Sequence, residues 1–218
     1  MSDHPSKRSD RNSSQEKPSG GTTRRTFLKS AGLVSASVAS LDVLHEVSHA
    51  QAAGAPVRAL GPDKVAVKLR INGQIHVLSI EPRSTLAEVL RDELRMTGTK
   101  IVCDRGACSA CTVMLEKTPV CSCMTLVMDV GNRNITTIEG LANGDNLHPV
   151  QAAFVAHDGL QCGFCTSGMV MSCAALLERN SDPTLDDVKT AISGNICRCG
   201  TYPKVFEAVL AGSQSKGT

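Results

Sequence analysis

The sequence predicts an α+β fold: a small mixed sheet crossed by one helix, followed by a bundle of four helices. Three observations carry that prediction. Residues 64–80 alternate apolar and polar side chains on both sides of an Asn-Gly pair, the pattern of a β-hairpin. Residues 148–210 place apolar side chains at helical spacing in four successive stretches. Eight of the ten cysteines fall into two tight groups, one after the first helix and one split across the second half.

Composition sets the limits. The 218 residues suffice for one large domain or two small ones. Aromatic side chains are scarce, with no Trp, one Tyr and four Phe, so the core rests on smaller groups that each bury less area. Residues 1–52 carry seven Lys/Arg and five Asp/Glu, which leaves sixteen of each in the remainder. A formally neutral working region does not point to nucleic acid.

Residues 1–52 form a leader. The first 22 are rich in Ser, Lys, Arg, Asp, Pro and Gly, too polar to offset chain entropy, and are expected to be disordered. Thr23-Arg24-Arg25-Thr26-Phe27-Leu28-Lys29, a mild apolar run from Ala31 to Leu41 and small residues near Ala50-Gln51-Ala52 follow the order of a signal peptide. The Arg-Arg pair before Phe-Leu-Lys resembles a twin-arginine export signal and implies a periplasmic location. The apolar run is too short to span a bilayer. Twin-arginine export carries folded proteins, so metal centres would be loaded before free thiols meet an oxidising compartment.

The first module is expected over residues 63–140. Strands flank Asn72-Gly73, and Pro82 ends the second. Thr85-Leu-Ala-Glu88 is a capping box that opens a helix to about Arg95, with Leu86, Val89, Leu90 and Leu94 on one face and Gly98 placed as its C-terminal stop. Strands are expected at 112–116 and 134–138. The second module is expected over residues 146–211, with helices at 148–157, where Pro149 suits a first turn, then 167–178, 184–192 and 205–210.

Cys103, Cys108 and Cys111 make a C-x4-C-x2-C loop, the plant-type spacing that holds a [2Fe–2S] cluster with a distant fourth thiolate. Gly106 supplies the positive φ that such a tight loop needs. Cys121 and Cys123 are both available as fourth ligand. Two residues apart in a strand they would share a face, and spacing alone does not choose between them. Cys162, Cys165, Cys197 and Cys199 lie at helix ends that can meet at one end of the bundle. Structural zinc is the rival occupant of both sets, and the stronger rival at the second, because zinc sites favour C-x2-C pairs. Cys173 sits among apolar helix residues and reads as a small buried hydrophobe. His148 and His157 read as capping or surface residues rather than ligands.

The motifs resemble those of a known family. Cys103-Asp-Arg-Gly-Ala-Cys-x-x-Cys-Thr-Val, Cys123-Met-Thr-Leu-Val, Ile-Thr-Thr-Ile-Glu-Gly140, Gln161-Cys-Gly-Phe-Cys-Thr-Ser-Gly168 and Ser193-Gly-Asn-Ile-Cys-Arg-Cys-Gly200 resemble the iron–sulfur subunit of the xanthine dehydrogenase/aldehyde oxidase molybdenum hydroxylases. The leader and Asp145–Phe154 resemble most the periplasmic aldehyde oxidoreductase members. The resemblance spans about residues 63–211. It implies a ferredoxin-like (β-grasp) domain followed by a four-helix [2Fe–2S] domain. It also implies Cys103, Cys108, Cys111 and Cys123 on the first cluster and Cys162, Cys165, Cys197 and Cys199 on the second. Gln161 and Cys199 would lie beside the pterin of a large molybdopterin-binding partner, and an FAD-binding subunit would complete a heterotrimer.

By that resemblance the chain relays electrons from a molybdenum site that oxidises aldehydes, through two [2Fe–2S] clusters, to a flavin or other acceptor. It binds no organic substrate itself. Competing readings are a free-standing two-cluster ferredoxin, which would usually carry a more acidic surface, and the small subunit of a dehydrogenase that hydroxylates N-heterocycles. One departure from the family is Ser109, where glycine is usual; serine there is expected to keep a negative φ or to cap locally.

Overall fold

A computed structural model describes residues 60–214 and Arg25. Apart from Arg25, the leader expected over 1–52 lies outside the described residues. The strands and helices below all belong to the unit formed by residues 59–218.

The hairpin forms as the alternation requires. β1 (Val65–Ile71) pairs antiparallel with β2 (Gln74–Ile80), Ile71 opposite Gln74. Asn72 and Gly73 have φ of 51° and 79°, the mirror-image turn that matches strand twist. Thr85 caps α1 (Leu86–Glu88) by the reciprocal box with Glu88, and a π turn over Val89–Glu93 carries the helix on. Leu94 is its last right-handed residue, and Arg95, at φ 60°, makes the left-handed exit. Gly98 is therefore not the helix stop. Its value is close approach: an added Cβ would meet Ile138 Cγ2 and stand 2.6 Å from Glu139 Oε1.

β3 (Thr112–Leu115), β4 (Thr118–Cys121) and β5 (Asn134–Thr136) complete a five-stranded sheet in the order β2-β1-β5-β3-β4, with β1 and β5 parallel. A one-turn helix α2 (Val127–Val130) lies between β4 and β5. Leu69, Ile71, Leu86, Val89, Leu90, Val113, Val127 and Ile135 fill the space between sheet and helices. The strand expected over 134–138 stops at Thr136, because Ile138–Gly140 turns into a 3₁₀ helix. That turn is clamped: Asn72 Nδ2 donates to Thr137 Oγ1 and Thr137 N donates to Asn72 Oδ1, both at 2.9 Å, while Gly98 N donates to Glu139 Oε1 at 2.8 Å.

The second half is α3 (Pro149–Ala156), α4 (Thr166–Arg179), α5 (Leu185–Ala191) and α6 (Tyr202–Gln214). His148 caps α3, its Nδ1 accepting from Val150 N, and Thr184 caps α5 through Asp187. α6 is longer at both ends than the expected 205–210. The bundle core gathers Val150, Phe154, Met169, Val170, Cys173, Leu177, Val188, Val205 and Val209. Cys173 is fully buried, and desolvation pushes its thiol up to about 12, so it packs as an apolar group. Across the other face of α4, Met171, Ala174 and Ala175 pack on Met114 of β3, which fixes the bundle to the sheet. No described helix is long and apolar enough to cross a membrane.

Candidate metal centres

The first thiol set lies on the irregular stretch between α1 and β3. Three residues there take left-handed backbone, Asp104 at φ 52°, Gly106 at 71° and Ser109 at 53°. Gly106 is where the sequence asked for one. Ser109 is not: of the two alternatives expected there the negative φ does not occur, and the loop imposes on serine the conformation that glycine adopts more cheaply, its hydroxyl 3.6 Å from Cys121 Sγ. Hydrogen bonds hold it there, since Thr112 Oγ1 donates to Ser109 O at 2.7 Å and Thr112 N to the same oxygen at 3.3 Å. Ala107 N donates to Cys103 Sγ at 3.3 Å, aiming a backbone dipole at a thiolate.

Cys121 and Cys123 do not share a strand face. β4 ends at Cys121, and Ser122–Met124 turns as a 3₁₀ helix. Ser122, fully buried, donates from Oγ to Cys111 O at 2.6 Å and so clamps the turn to Cys111. Cys123 is thereby buried in one apolar group with Cys111 and Ala87. Cys121 is half-buried beside Ser109, Sγ to Oγ 3.6 Å.

The thiols come in pairs. Cys103 interacts with Cys108, and Cys111 with Cys123. Backbone N–H from Arg105, then the Cys108 thiol, lower Cys103 to about 7, whereas burial raises Cys108. Burial, then the Cys123 thiol, pushes Cys111 up to about 12.

In the second set Cys165, at the start of α4, meets Cys197, and Cys162 meets Cys199, both of the latter pair exposed. Burial and then the Cys197 hydrogen bond raise Cys165 to about 12. Desolvation opposes ionisation of Cys197, yet the Thr201 hydroxyl, 3.1 Å from its sulfur, and the Thr201 N–H bring it down to about 7. The only tyrosine braces this loop: Tyr202 Oη accepts from Cys197 N and donates to Asn195 O, each at 2.9 Å.

The two sets abut. Ile196 N donates to Cys108 O at 3.1 Å, and Asn195 Nδ2 donates to Ser109 O at 3.1 Å. Gly168 of α4 lies so close to the first loop that an added Cβ would collide with Ser109 O and stand 2.9 Å from Ala110 Cα. Val102, Cys108, Ala110, Phe164, Cys165 and Ile196 line a cavity of about 150 Å³ between the sets. Nothing in the sequence reading drew out Gly168, Asn195 or Tyr202, although the first two sit inside the quoted motifs. Gln161 is exposed at the outer edge, next to Cys162.

This donor chemistry fits two-iron clusters. Among the described residues no three His, Cys, Asp or Glu side chains converge as ligands of a single ion. Four thiols in each set would suffice to hold a [2Fe–2S] cluster, which takes four thiolates, and one thiol of each set is lowered to about 7, toward the ionised form that binds metal.

Tandem [2Fe–2S]-binding domains define the class. Residues 69–134 match the model of the 2Fe-2S iron-sulfur cluster binding domain, and residues 137–210 that of the [2Fe-2S] binding domain. The chain is 40% identical over 202 residues, 86% of each sequence, to the aldehyde oxidoreductase iron–sulfur-binding subunit PaoA of Escherichia coli. It is 44% identical over 148 residues to the nicotine 6-hydroxylase small subunit of Paenarthrobacter nicotinovorans, covering 68% of this chain and 89% of that one. Among solved structures, quinoline 2-oxidoreductase from Pseudomonas putida 86 superposes with a TM-score of 0.68 at 38% identity, over 70% of this chain and 96% of that one. Aldehyde oxidoreductase from Desulfovibrio gigas gives 0.67 at 37%, over 70% of this chain but 17% of that one. This chain belongs to the family of iron–sulfur subunits of aldehyde oxidoreductases and related molybdenum hydroxylases, and serves electron transfer within such a complex.

Proposed function

We propose that this chain is the electron-relay subunit of an aldehyde-oxidising molybdenum hydroxylase exported to the periplasm. In this reading Cys103, Cys108, Cys111 and Cys123 hold one [2Fe–2S] cluster, and Cys162, Cys165, Cys197 and Cys199 hold the other. When bound, the clusters supply one-electron redox steps; the chain supplies their ligands, their spacing and their exclusion from water. The observation that carries the proposal is the direct junction between the sets, with Cys165 and Cys197 facing inward and Cys162 and Cys199 exposed at the outer end. Beside Cys162, along the junction, Phe164 (59% exposed) and Ile196 (56%) leave apolar surface uncovered. That surface suits the large molybdopterin-binding subunit, with Gln161 and Cys199 next to its pterin.

An FAD-binding subunit at the Cys103 end would make a heterotrimer. A permanently docked subunit fits better than a free ferredoxin, because in the Desulfovibrio gigas enzyme the equivalent stretch is only 17% of a longer chain. Aldehydes are the proposed substrate class because the PaoA relative matches over 86% of each chain, whereas the nicotine 6-hydroxylase small subunit covers 68% of this one. The twin-arginine pattern at Arg24-Arg25 supports export of the folded, loaded protein.

The test is purification from the native host of whatever the tagged full-length chain carries, followed by EPR of the dithionite-reduced complex. Two distinct [2Fe–2S] signals, molybdenum in the co-purifying large chain and aldehyde-dependent reduction of both clusters are expected. A colourless protein rejects the relay, and reduction by an N-heterocycle but not by aldehydes rejects the substrate class.

A further inference from the structure

Cys197 differs from the other thiols of the two sets in having a hydroxyl against its sulfur. Thr201 Oγ1 lies 3.1 Å from Cys197 Sγ, and both residues are buried, at 4% and 8% exposure. Gly200, at φ 76°, is the left-handed step in the turn that brings Thr201 back to Cys197. Thr201 O accepts from Val205 N at 3.0 Å, which puts Thr201 at the N-cap of α6. A threonine hydroxyl in that position can turn a lone pair toward the first N–H groups of its helix, but this use does not engage its proton. The acceptor in reach of that proton is Cys197 Sγ. Between a thiol and a hydroxyl either group could donate. A thiolate that binds metal has lost its proton, so in the filled site the hydroxyl is the donor. Tyr202, next in the chain, braces the contact: its Oη accepts from Cys197 N and donates to Asn195 O, each at 2.9 Å. The first set shows no counterpart among the described residues, since the Ser109 hydroxyl there faces Cys121.

We propose that Thr201 donates an O–H···S hydrogen bond to Cys197 in the cluster held by Cys162, Cys165, Cys197 and Cys199, and thereby raises the reduction potential of that cluster. This rests on the ligand set proposed above. An added electron makes the ligand sulfur more negative, and a hydrogen bond to the more negative acceptor is the stronger one, so the reduced state gains more. Burial keeps water from competing for the same sulfur. The two clusters then differ in potential through a side chain that one loop has and the other lacks. Thr201 is a positioning residue: it touches no substrate and acts through Cys197 alone.

The experiment is EPR-monitored redox titration of the intact complex for wild type, T201V and T201S. Valine keeps the branched shape and the backbone N–H while removing the hydroxyl; serine keeps the hydroxyl. At a fixed potential the reduced-to-oxidised ratio of the second cluster should fall about tenfold in T201V, a downward shift of about 59 mV for a one-electron couple. T201S should stay near wild type, and the first cluster should not move in either variant. Electron–nuclear double resonance of the reduced second cluster should show a proton coupling that brief transfer to D2O removes, present in wild type and T201S and missing in T201V. An unaltered potential in a loaded T201V complex would overturn the inference. So would an equal shift in T201S, the mark of a merely structural role, or a shift shared by the first cluster. If T201V loads poorly, T201A carries the same readouts, and a wild-type spectrum without the rapidly exchanging coupling rejects the hydrogen bond with no variant at all. Absence of a second-cluster signal in wild type would instead remove the ligand assignment, so the two failures are distinguishable.

Discussion

Replacing Gly168 by alanine probes the junction on which the relay depends. The new methyl group would run into Ser109 O and stand 2.9 Å from Ala110 Cα and 3.1 Å from Ala110 C. All three are backbone atoms, so no side chain can swing aside. The helix cannot retreat freely either, because Met171, Ala174 and Ala175 on the same element are fully buried against Met114. Overpacking of this kind costs about 1–3 kcal/mol. If α4 backs away, the Asn195–Ser109 and Ile196–Cys108 hydrogen bonds lengthen together, with about 0.5–1.5 kcal/mol at stake in each. The expected total of about 2–6 kcal/mol corresponds to a fall in Tm of about 4–24 °C for a chain of this size. The assay is thermal unfolding of the loaded protein beside EPR of the reduced state. Each cluster should keep its own signal while the magnetic coupling between them weakens. Wild-type Tm with undiminished coupling in G168A would refute the account of the junction.

Three other outcomes follow from the same contacts. Cys123→Ser should abolish the first cluster's visible absorption and EPR signal, whereas Cys121→Ser should retain both, because Cys123 is buried with Cys111 while Cys121 is half-buried beside Ser109; loss in C121S would reverse the assignment. Asn72→Ala should cost about 2–4 kcal/mol in denaturant unfolding, since it strands the buried Thr137 N–H and puts alanine at positive φ, while Asn72→Gly should lose less. Asp187 is held below the usual carboxylate range by the Thr184 N–H and hydroxyl, so its contribution is complete above the unfolded pKa and disappears as pH falls through the lower folded value. Asp187→Asn should therefore flatten the acid limb of α5 stability below about pH 4, read by amide hydrogen exchange; an unchanged limb would count against the capping box.

The elements that could be read in advance are those with local signals. Asn72-Gly73 and the boxes at Thr85 and Thr184 depend on residues within three positions of one another, and each forms as the local chemistry requires. β4 carries no such signal, since a proline argues against a strand; Pro119 is tolerated because at the edge of the sheet its missing N–H faces no neighbour. α2 is one turn long, too short for any period to show. The cysteine spacings announced two centres, but the pairing of thiols across 32 residues between Cys165 and Cys197 is tertiary. The same holds for Ser109. Its left-handed backbone is imposed by a loop whose carbonyl is held by Asn195, 86 positions away.

That last contact explains why the loop can afford its strain. Three left-handed residues in six, two of them not glycine, would not stay in place through local bonds alone, since each non-glycine costs about 1–2 kcal/mol. The second domain supplies the missing support. Tyr202 fixes Asn195 and Cys197, Asn195 then fixes Ser109, and Ile196 fixes Cys108. Cysteines of both sets are thus tied by backbone and side-chain hydrogen bonds to the same stretch 195–197, which couples the two loops. For a relay this rigidity has a direct use: a constant gap and constant dipoles keep the electronic step free of protein rearrangement. Asn195, through Ser109, and Tyr202, through Cys197, are accordingly the residues that hold the two thiol loops together.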